Sequence, residues 1–258
     1  MQLLPTVTAG TALFLDFDGT LAELAPTPDS VHVPSGLVTT IAALRQQLGG
    51  ALAIVTGRRV EDVDRFLSPL LLPVAGEHGA EFRLPDGTAP DIAPPALGPA
   101  LDTMERLAAT HHGLLVERKP HSVALHYRHA PDLEGLCLAA VQGAVAQMEG
   151  VELLRGKCVF EVKSAHVDKG RAIAIFMQAL PFEGRMPIFV GDDVTDEAGF
   201  AAVQSLGGVG IKVGEGPTQA RYRCQNPAAL RGWLASARSG LAAAETAMPQ
   251  SPPSPAES

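Results

Sequence analysis

Two aspartates at the end of an apolar run are the first residues whose types and spacing suggest chemistry. Asp16 and Asp18 lie within LFLDFDGTLA (13–22), and a glycine and Thr20 follow them directly. Side chains alternate between the two faces of an extended strand, so both carboxylates can point the same way while Phe17 faces the core. The stretch therefore predicts a reactive carboxylate pair or, alternatively, an ordinary turn in which Thr20 caps the following segment.

Polar residues follow other apolar runs as well. Thr56 ends ALAIVT, and a hydroxyl at a helix start suits a phosphoryl oxygen, although a plain helix cap is the alternative. Asp192, Asp193 and Asp196 follow PIFVG, and such a cluster near a second acidic pair would be costly without a cation. Oxygen ligands around a small, hard cation indicate Mg²⁺. Lys169, at a helix start, could neutralise a phosphoryl group, but alone it also fits a solvated lysine.

Alternating strands and helices must position these residues. Short apolar runs alternate with segments of helical spacing, which predicts βαβ units and a parallel sheet. In such sheets, ligands bind beyond the carboxyl ends of the strands, where the polar residues fall. The predicted strands are 12–17, 51–56, 73–77, 187–193 and 208–214, and the predicted helices are about 35–49, 60–71, 168–180 and 227–238.

The middle of the chain has a different pattern. Residues 97–164 read as helix, hairpin, helix, hairpin, which indicates an antiparallel α+β module inserted into the parallel core. The core then comprises 1–96 and 165–240, and the Pro- and Ser-rich end, 241–258, is expected to be a disordered tail.

The bulk composition excludes several classes of protein. The 258 residues carry a net charge of −8, which offers no broad basic field for nucleic acid. Three cysteines without a C-x-x-C pair argue against a disulfide scaffold or a zinc site. The N-terminus lacks a basic signal-peptide region, and no apolar run approaches the roughly 18 residues of a membrane span. A soluble, cytoplasmic protein without a membrane partner is expected.

The ordered motifs resemble those of the haloacid-dehalogenase-like (HAD) phosphatases. The four general motifs are DFDGT, TGR, KG and GDDVTD, which begin at residues 16, 56, 169 and 191. AGEHGAEFR and EVKSAHVDKG narrow the resemblance to the trehalose-6-phosphate phosphatase family, over most of residues 11–235. The resemblance implies a Rossmann-like HAD core with a parallel sheet and an inserted α+β cap.

The same resemblance implies a mechanism and a magnesium site. Asp16 would attack phosphorus and form an aspartyl-phosphate. Asp18 would protonate the leaving sugar oxygen and then deprotonate the attacking water. The Mg²⁺ ligands would be Asp16, the backbone carbonyl of Asp18, and Asp192. Thr56 and Lys169 would hold the phosphoryl oxygens of a loose transition state.

Two further aspartates of the last motif would support the site without binding the metal directly. Asp193 would orient Lys169 or a metal-bound water. Asp196 would likewise support the metal ligands without binding the metal itself.

Substrate selection is expected from charged residues of the inserted module. Glu117 and Lys119 lie two apart on a predicted strand, which fits one shared face or an ordinary solvent face. The family resemblance implies that both residues, with Glu161, grip sugar hydroxyls. Arg58 is a further substrate-binding candidate, and His78 fits support of the core at least as well.

The resemblance implies hydrolysis of trehalose 6-phosphate, with a trehalose-phosphate synthase as a pathway partner. Another sugar phosphate, such as sucrose phosphate or mannosylglycerate phosphate, is the alternative within the class. A non-catalytic sugar-phosphate-binding partner of the synthase is the alternative outside it, but the chain keeps the catalytic carboxylates that degenerate modules usually lose.

Overall fold

The computed structural model describes residues 3–90 and 92–247, which form two sheets flanked by helices. The elements before the inserted module are β1 (Thr11–Leu15), α1 (Leu37–Gln47), β2 (Leu52–Val55), α2 (Val60–Leu67), β3 (Val74–Gly76) and β4 (Glu81–Arg83). Those of the module are α3 (Gly98–Thr110), β5 (Leu115–Arg118), β6 (Ser122–His126), α4 (Glu134–Val145), β7 (Val151–Gly156) and β8 (Val159–Ser164). The remaining elements are α5 (Lys169–Phe176), β9 (Met186–Gly191), α6 (Glu197–Ser205), β10 (Val209–Val213), β11 (Tyr222–Cys224) and α7 (Pro227–Ala247).

The larger sheet has seven strands in the order β11-β10-β9-β1-β2-β3-β4. All neighbours are parallel except β3 and β4, which are antiparallel. The central strands, TALFL and LAIV, are buried at every position, as expected for a sheet covered by helices on both faces. Leu15 pairs with Val190 and with Ile54, so the carboxyl ends of β9, β1 and β2 lie side by side.

The smaller sheet is antiparallel, in the order β5-β6-β8-β7, and packs against α3 and α4. One face of its strands joins Met104 and Val141 in a separate apolar core. On the other face, Ala124 pairs with Glu117 on one side and with Glu161 on the other. Because directly paired residues share a face, this register places two carboxylates in one row across three strands.

The predicted fold class, a parallel α/β core with an inserted α+β module, is confirmed. Three short elements were not predicted: β4 and β11, of three residues each, and α6. The predicted tail, 241–258, begins too early, because α7 continues to Ala247 through a buried Leu241. The rest of that segment, 248–258, lies outside the described residues. Within the described part of the chain, no helix is long and apolar enough to cross a membrane.

Candidate active site

Asp16 and Lys169 form a buried ion pair beyond the carboxyl end of β1. Lys169 begins α5, and its Nζ lies 2.8 Å from Asp16 Oδ1 and 2.6 Å from Asp196 Oδ1. The second Asp16 oxygen accepts a hydrogen bond from Thr20 Oγ1 at 3.1 Å. Burial raises the pKa of Asp16 well above its usual range, and Lys169 opposes that shift. Asp16 therefore relies on neighbouring positive charge to stay ionised.

Asp18 pairs with Arg58 in a two-pronged contact. Arg58 Nε lies 2.6 Å from Asp18 Oδ2, and its Nη2 lies 2.8 Å from Oδ1. The guanidinium also lies over the rings of Phe17 and Phe66, 5.6 and 4.8 Å from the two centroids. This stacking and the planar fork fix the orientation of the Asp18 carboxylate. The sequence predicted that Arg58 binds substrate; in this structure its guanidinium contacts Asp18.

Thr56 follows β2 and begins the loop that faces Asp16. Its N–H donates to Ala75 O at 2.9 Å, which ties the loop to β3. Its hydroxyl accepts a 3.3 Å hydrogen bond from the N–H of Arg58. Because only 1% of Thr56 is exposed, the hydroxyl is held in place, as a phosphoryl contact requires.

The last acidic cluster is organised by the tight turn Val194–Asp196 after β9. Asp196 Oδ2 accepts the N–H groups of Asp192 and Asp193, both at 2.8 Å, and its other oxygen binds Lys169. Asp193 Oδ1 instead caps the turn by accepting the N–H of Val194 at 2.8 Å. Lys169 is therefore contacted by Asp196, and the other expectation for Asp193, that it orients a metal-bound water, stays a prediction.

Carboxylates of Asp16, Asp192 and Asp196 converge closely enough to hold a cation. One oxygen from each lies within 4.8 Å of the others. Burial also raises the pKa of Asp192, and Lys157 opposes that shift. Asp196 does not line the cavity, and its oxygens bind Lys169 and two backbone N–H groups. Asp16 and Asp192 do line it and are the carboxylates better placed for Mg²⁺. Oxygen donors of this kind suit a hard divalent cation.

The cap residues predicted to bind sugar hydroxyls lie opposite these core residues. Lys119 Nζ contacts Gly57 O at 3.0 Å and Glu161 Oε1 at 3.1 Å. Glu117 Oε2 lies 2.8 Å from His126 Nε2. Burial opposes ionisation of Glu161, yet Lys119 and His78 hold its pKa well below the usual range. Burial likewise opposes ionisation of Glu117, but His126 and Lys119 lower its pKa, so the cap presents two ionised carboxylates and an ammonium group to the core.

Lys157 was missed by the sequence reasoning. It lies in the two-residue turn between β7 and β8, and its Nζ is 2.6 Å from Asp192 Oδ2. Arg128, on the same rim, donates to the carbonyl oxygen of Lys157 at 3.2 Å. The sequence feature that could have identified Lys157 is a lysine in a predicted hairpin turn. The sequence does not predict which part of the core that turn will contact.

A single cavity joins the two sides of the site. Its lining includes most of the predicted site residues: Asp16, Asp18, Thr56, Arg58, Glu117, Lys119, Glu161, Lys169, Asp192 and Asp193. Asp196 does not line it, which agrees with a supporting position behind Lys169. By contrast, the buried Lys163 contacts the carbonyl oxygens of Ser164 and Val167 and does not face this cavity.

Comparisons with known proteins agree with one another. The family model described as trehalose-phosphatase matches residues 14–228. A trehalose-6-phosphate phosphatase of Escherichia coli is 40% identical over 240 residues, covering 89% of this chain and 87% of its own length. A probable trehalose-phosphate phosphatase of Sinorhizobium fredii is 44% identical over 233 residues, covering 87% and 86%.

Solved structures are similar as well. A trehalose-6-phosphate phosphatase related protein is 28% identical with a TM-score of 0.72, covering 90% of this chain and 99% of its own. The C-terminal domain of the Candida albicans trehalose-6-phosphate phosphatase reaches a TM-score of 0.80 at 20% identity, covering 89% of this chain and 92% of that domain, which supports the fold alone.

Proposed function

The chain belongs to the trehalose-phosphatase family, and we propose on that basis that it hydrolyses trehalose 6-phosphate to trehalose and phosphate. The observation that carries the proposal is one cavity with two chemically different sides. The core side offers buried aspartates and Lys169 for a phosphoryl group. The cap side offers Glu117, Lys119 and Glu161 for sugar hydroxyls. A phosphate monoester with a polar sugar fits both sides.

In the proposed mechanism, Asp16 attacks phosphorus and forms an aspartyl-phosphate that water then hydrolyses. The contact from Lys169 favours the ionised nucleophile against the effect of burial. Mg²⁺ held by Asp16, the Asp18 backbone carbonyl and Asp192 would supply the positive charge that lets a carboxylate approach a phosphate dianion. Thr56 and Lys169 hold the equatorial phosphoryl oxygens.

Asp18 handles the proton in this proposal. It lies two residues after the nucleophile, and 31% of its side chain is exposed, whereas Asp16 is buried. That exposure gives it access to the leaving oxygen and then to water. Both Asp18 oxygens accept from Arg58 in this structure. In the proposed first step one of them therefore leaves that contact to carry the proton to the leaving oxygen, and Asp18 then serves as base in the second step.

The proposal is tested by phosphate release with Mg²⁺ across a panel of sugar phosphates. Trehalose 6-phosphate should have the highest kcat/KM, at least about tenfold above glucose 6-phosphate, because only the disaccharide fills the cap side. A higher value for sucrose phosphate or mannosylglycerate phosphate would reassign the substrate. Release from none of them, with an intact fold, would favour a non-catalytic binding module.

Metal dependence is tested separately. Chelation with EDTA should abolish turnover and added Mg²⁺ should restore it, because the buried carboxylates otherwise repel the phosphate. Calorimetric titration of Mg²⁺ should show one site that is lost in Asp192→Asn. Full activity in a verified metal-free sample would contradict the magnesium proposal.

The cellular context rests on the sequence and the family. We infer a cytoplasmic location and a pathway relation to the synthase that makes the sugar phosphate. Fractionation and a pull-down with that synthase would test the two points.

A further inference from the structure

The turn Glu77–His78 after β3 has an unusual backbone. Both residues are in the left-handed region, with φ of +45° and +60°, although neither is glycine. The Glu77 N–H donates to Arg58 O and the His78 N–H to Thr56 O, both at 2.9 Å. Strain of this kind persists only where the surroundings impose it, and it concentrates at functional sites. Here two backbone hydrogen bonds to the loop that carries Thr56 help to hold the turn.

Both side chains of this turn leave the core and contact the cap. Glu77 Oε2 accepts the His121 N–H at 2.8 Å and lies 3.4 Å from Ser122 Oγ. His78 Nε2 lies 3.1 Å from Glu161 Oε2. These are contacts between buried groups, because Glu77 is fully buried and His78 and Glu161 are 7% and 8% exposed. The strained turn therefore joins the Thr56 loop to the cap.

His78 also has a close fit with the Thr56 loop. A Cβ atom placed on Gly57 would lie 2.7 Å from the His78 ring, so the ring packs directly against that glycine. The ring therefore sits between the loop expected to bind phosphate and the carboxylate expected to bind sugar. A shift of the cap relative to the loop would therefore change the contacts of this ring.

The Glu161 carboxylate is held from three directions. Ser122 Oγ donates at 2.6 Å and Lys119 Nζ lies at 3.1 Å, both from the cap itself. Of these three partners, His78 comes from the core domain. His78 is therefore the partner that contacts the carboxylate directly from the core, whereas Lys119, which also contacts Gly57 O at 3.0 Å, links it to the core from the cap side.

The charge state of His78 suits a donor. Burial lowers its pKa, with Lys169 and Lys119 adding to the shift and Glu161 opposing it. Among the described residues its Nδ1 is buried without a hydrogen-bond partner, so a proton there would be left unpaired. The neutral ring with its proton on Nε2 therefore donates to Glu161 Oε2.

We propose that His78 is a positioning residue for substrate selection, which orients Glu161 toward the sugar when the cap lies against the core. The inference rests on the proposed sugar-phosphatase function. A carboxylate distinguishes hydroxyl patterns only when its own orientation is fixed. Without the Nε2 donor, Glu161 keeps its cap partners but loses its direct contact with the core beside the phosphate site.

The test compares His78→Leu, which removes the donor, with His78→Gln, whose amide nitrogen can donate from a similar position. His78→Leu should lower kcat/KM for trehalose 6-phosphate by about tenfold or more and for an aryl phosphate by no more than about threefold. His78→Gln should stay within about threefold of wild type on both substrates. His112→Leu and His112→Gln, at an exposed cap histidine, are matched controls and should change neither.

A double-mutant cycle shows whether His78 acts through Glu161. In a Glu161→Ala background, His78→Leu should cause little further loss on trehalose 6-phosphate. Equal losses on both substrates, or additive losses in the cycle, would overturn the inference and leave His78 as a structural support. If the wild-type protein does not hydrolyse trehalose 6-phosphate, the proposed function fails instead. The same comparison on the best sugar phosphate of the panel then decides the role of His78.

Discussion

At the scale of single residues, the main energetic cost of the site is the repulsion between its buried carboxylates. Asp16, Asp192 and Asp196 lie close together out of water, where like charges repel strongly. Lys169 compensates Asp16 and Asp196, and Lys157 reaches Asp192 from the cap. A phosphate group would add further negative charge, so a cation has a clear physical role here.

The first prediction concerns the nucleophile. Asp16→Asn keeps the size of the side chain but removes the charge needed for attack, so turnover should fall by a factor of about 10³ or more. Circular dichroism should show an intact fold. Asp132→Asn, at an exposed cap position, is the control and should retain activity. Substantial turnover by Asp16→Asn would contradict the assignment.

The second prediction uses a glycine beside the proposed metal site. Gly19 has φ of +74°, and a Cβ there would lie 2.2 Å from the Asp192 carboxylate. Gly19→Ala should therefore displace Asp192, weaken Mg²⁺ binding in calorimetry and lower kcat by about a hundredfold.

Gly36→Ala separates contact from backbone strain. Gly36 has a similar φ of +83°, but among the described residues nothing lies within 4 Å of the position that an alanine methyl group would take. The variant should lose some thermal stability while keeping metal affinity and turnover. Equal loss of metal binding in both variants would show that strain, and not the contact with Asp192, is responsible.

At the scale of elements, the larger sheet brings the motifs together. The ends of β9, β1 and β2 are neighbours, so residues far apart in sequence meet at one edge. The sequence predicted this convergence, because buried parallel strands have long apolar runs and their polar ends are easy to recognise. Strands β4 and β11 have three residues each, too few for a recognisable pattern.

The parts of the site that could not be predicted depend on turns. The turn Val194–Asp196 points Asp196, and not Asp193, at Lys169, and its shape follows from hydrogen bonds that form only in the folded chain. The contact of Lys157 with Asp192 depends on how the β7–β8 hairpin meets the core. Long-range placement of this kind leaves no local pattern in the sequence.

The third prediction concerns the stability that Glu161 gives to the cap. Its pKa in the folded protein is well below the ordinary value of 4.5, because Lys119 and His78 outweigh burial. A carboxyl with a lowered folded pKa stabilises the fold above the pKa of the unfolded chain and loses that contribution as pH falls. The free energy of unfolding of wild type should therefore exceed that of Glu161→Gln near neutral pH.

This difference should shrink as pH falls below 4.5 toward the lowered folded pKa. Chemical denaturation at a series of pH values measures it. Glu149→Gln, at an exposed cap glutamate, should show no comparable trend. A difference that grows on acidification would show that Glu161 is not held as an ion.

At the scale of the whole molecule, two sheets divide the labour around one cavity. In the proposed function, the seven-stranded sheet would supply groups for phosphate, which every phosphomonoester shares, so the core alone would not choose a sugar. The four-stranded sheet supplies Glu117 and Glu161 in one row, beside Lys119 at the end of β5. Under this proposal, selectivity would depend on cap residues that reach hydroxyls remote from phosphorus.

The last prediction separates these two tasks. Glu117→Ala and Lys119→Ala should each lower kcat/KM for trehalose 6-phosphate by about tenfold or more, because sugar hydroxyls in the closed site would lose their hydrogen-bond partners. Activity on a small aryl phosphate, which does not reach the cap face, should change by less than about threefold. Arg118→Ala is the matched control: it lies between them on the chain, is exposed, and pairs with Glu105. It should leave both activities unchanged. Parallel losses on both substrates would show that these charges hold the cap in place. No loss on either substrate would show that Glu117 and Lys119 do not contribute to selection of the sugar.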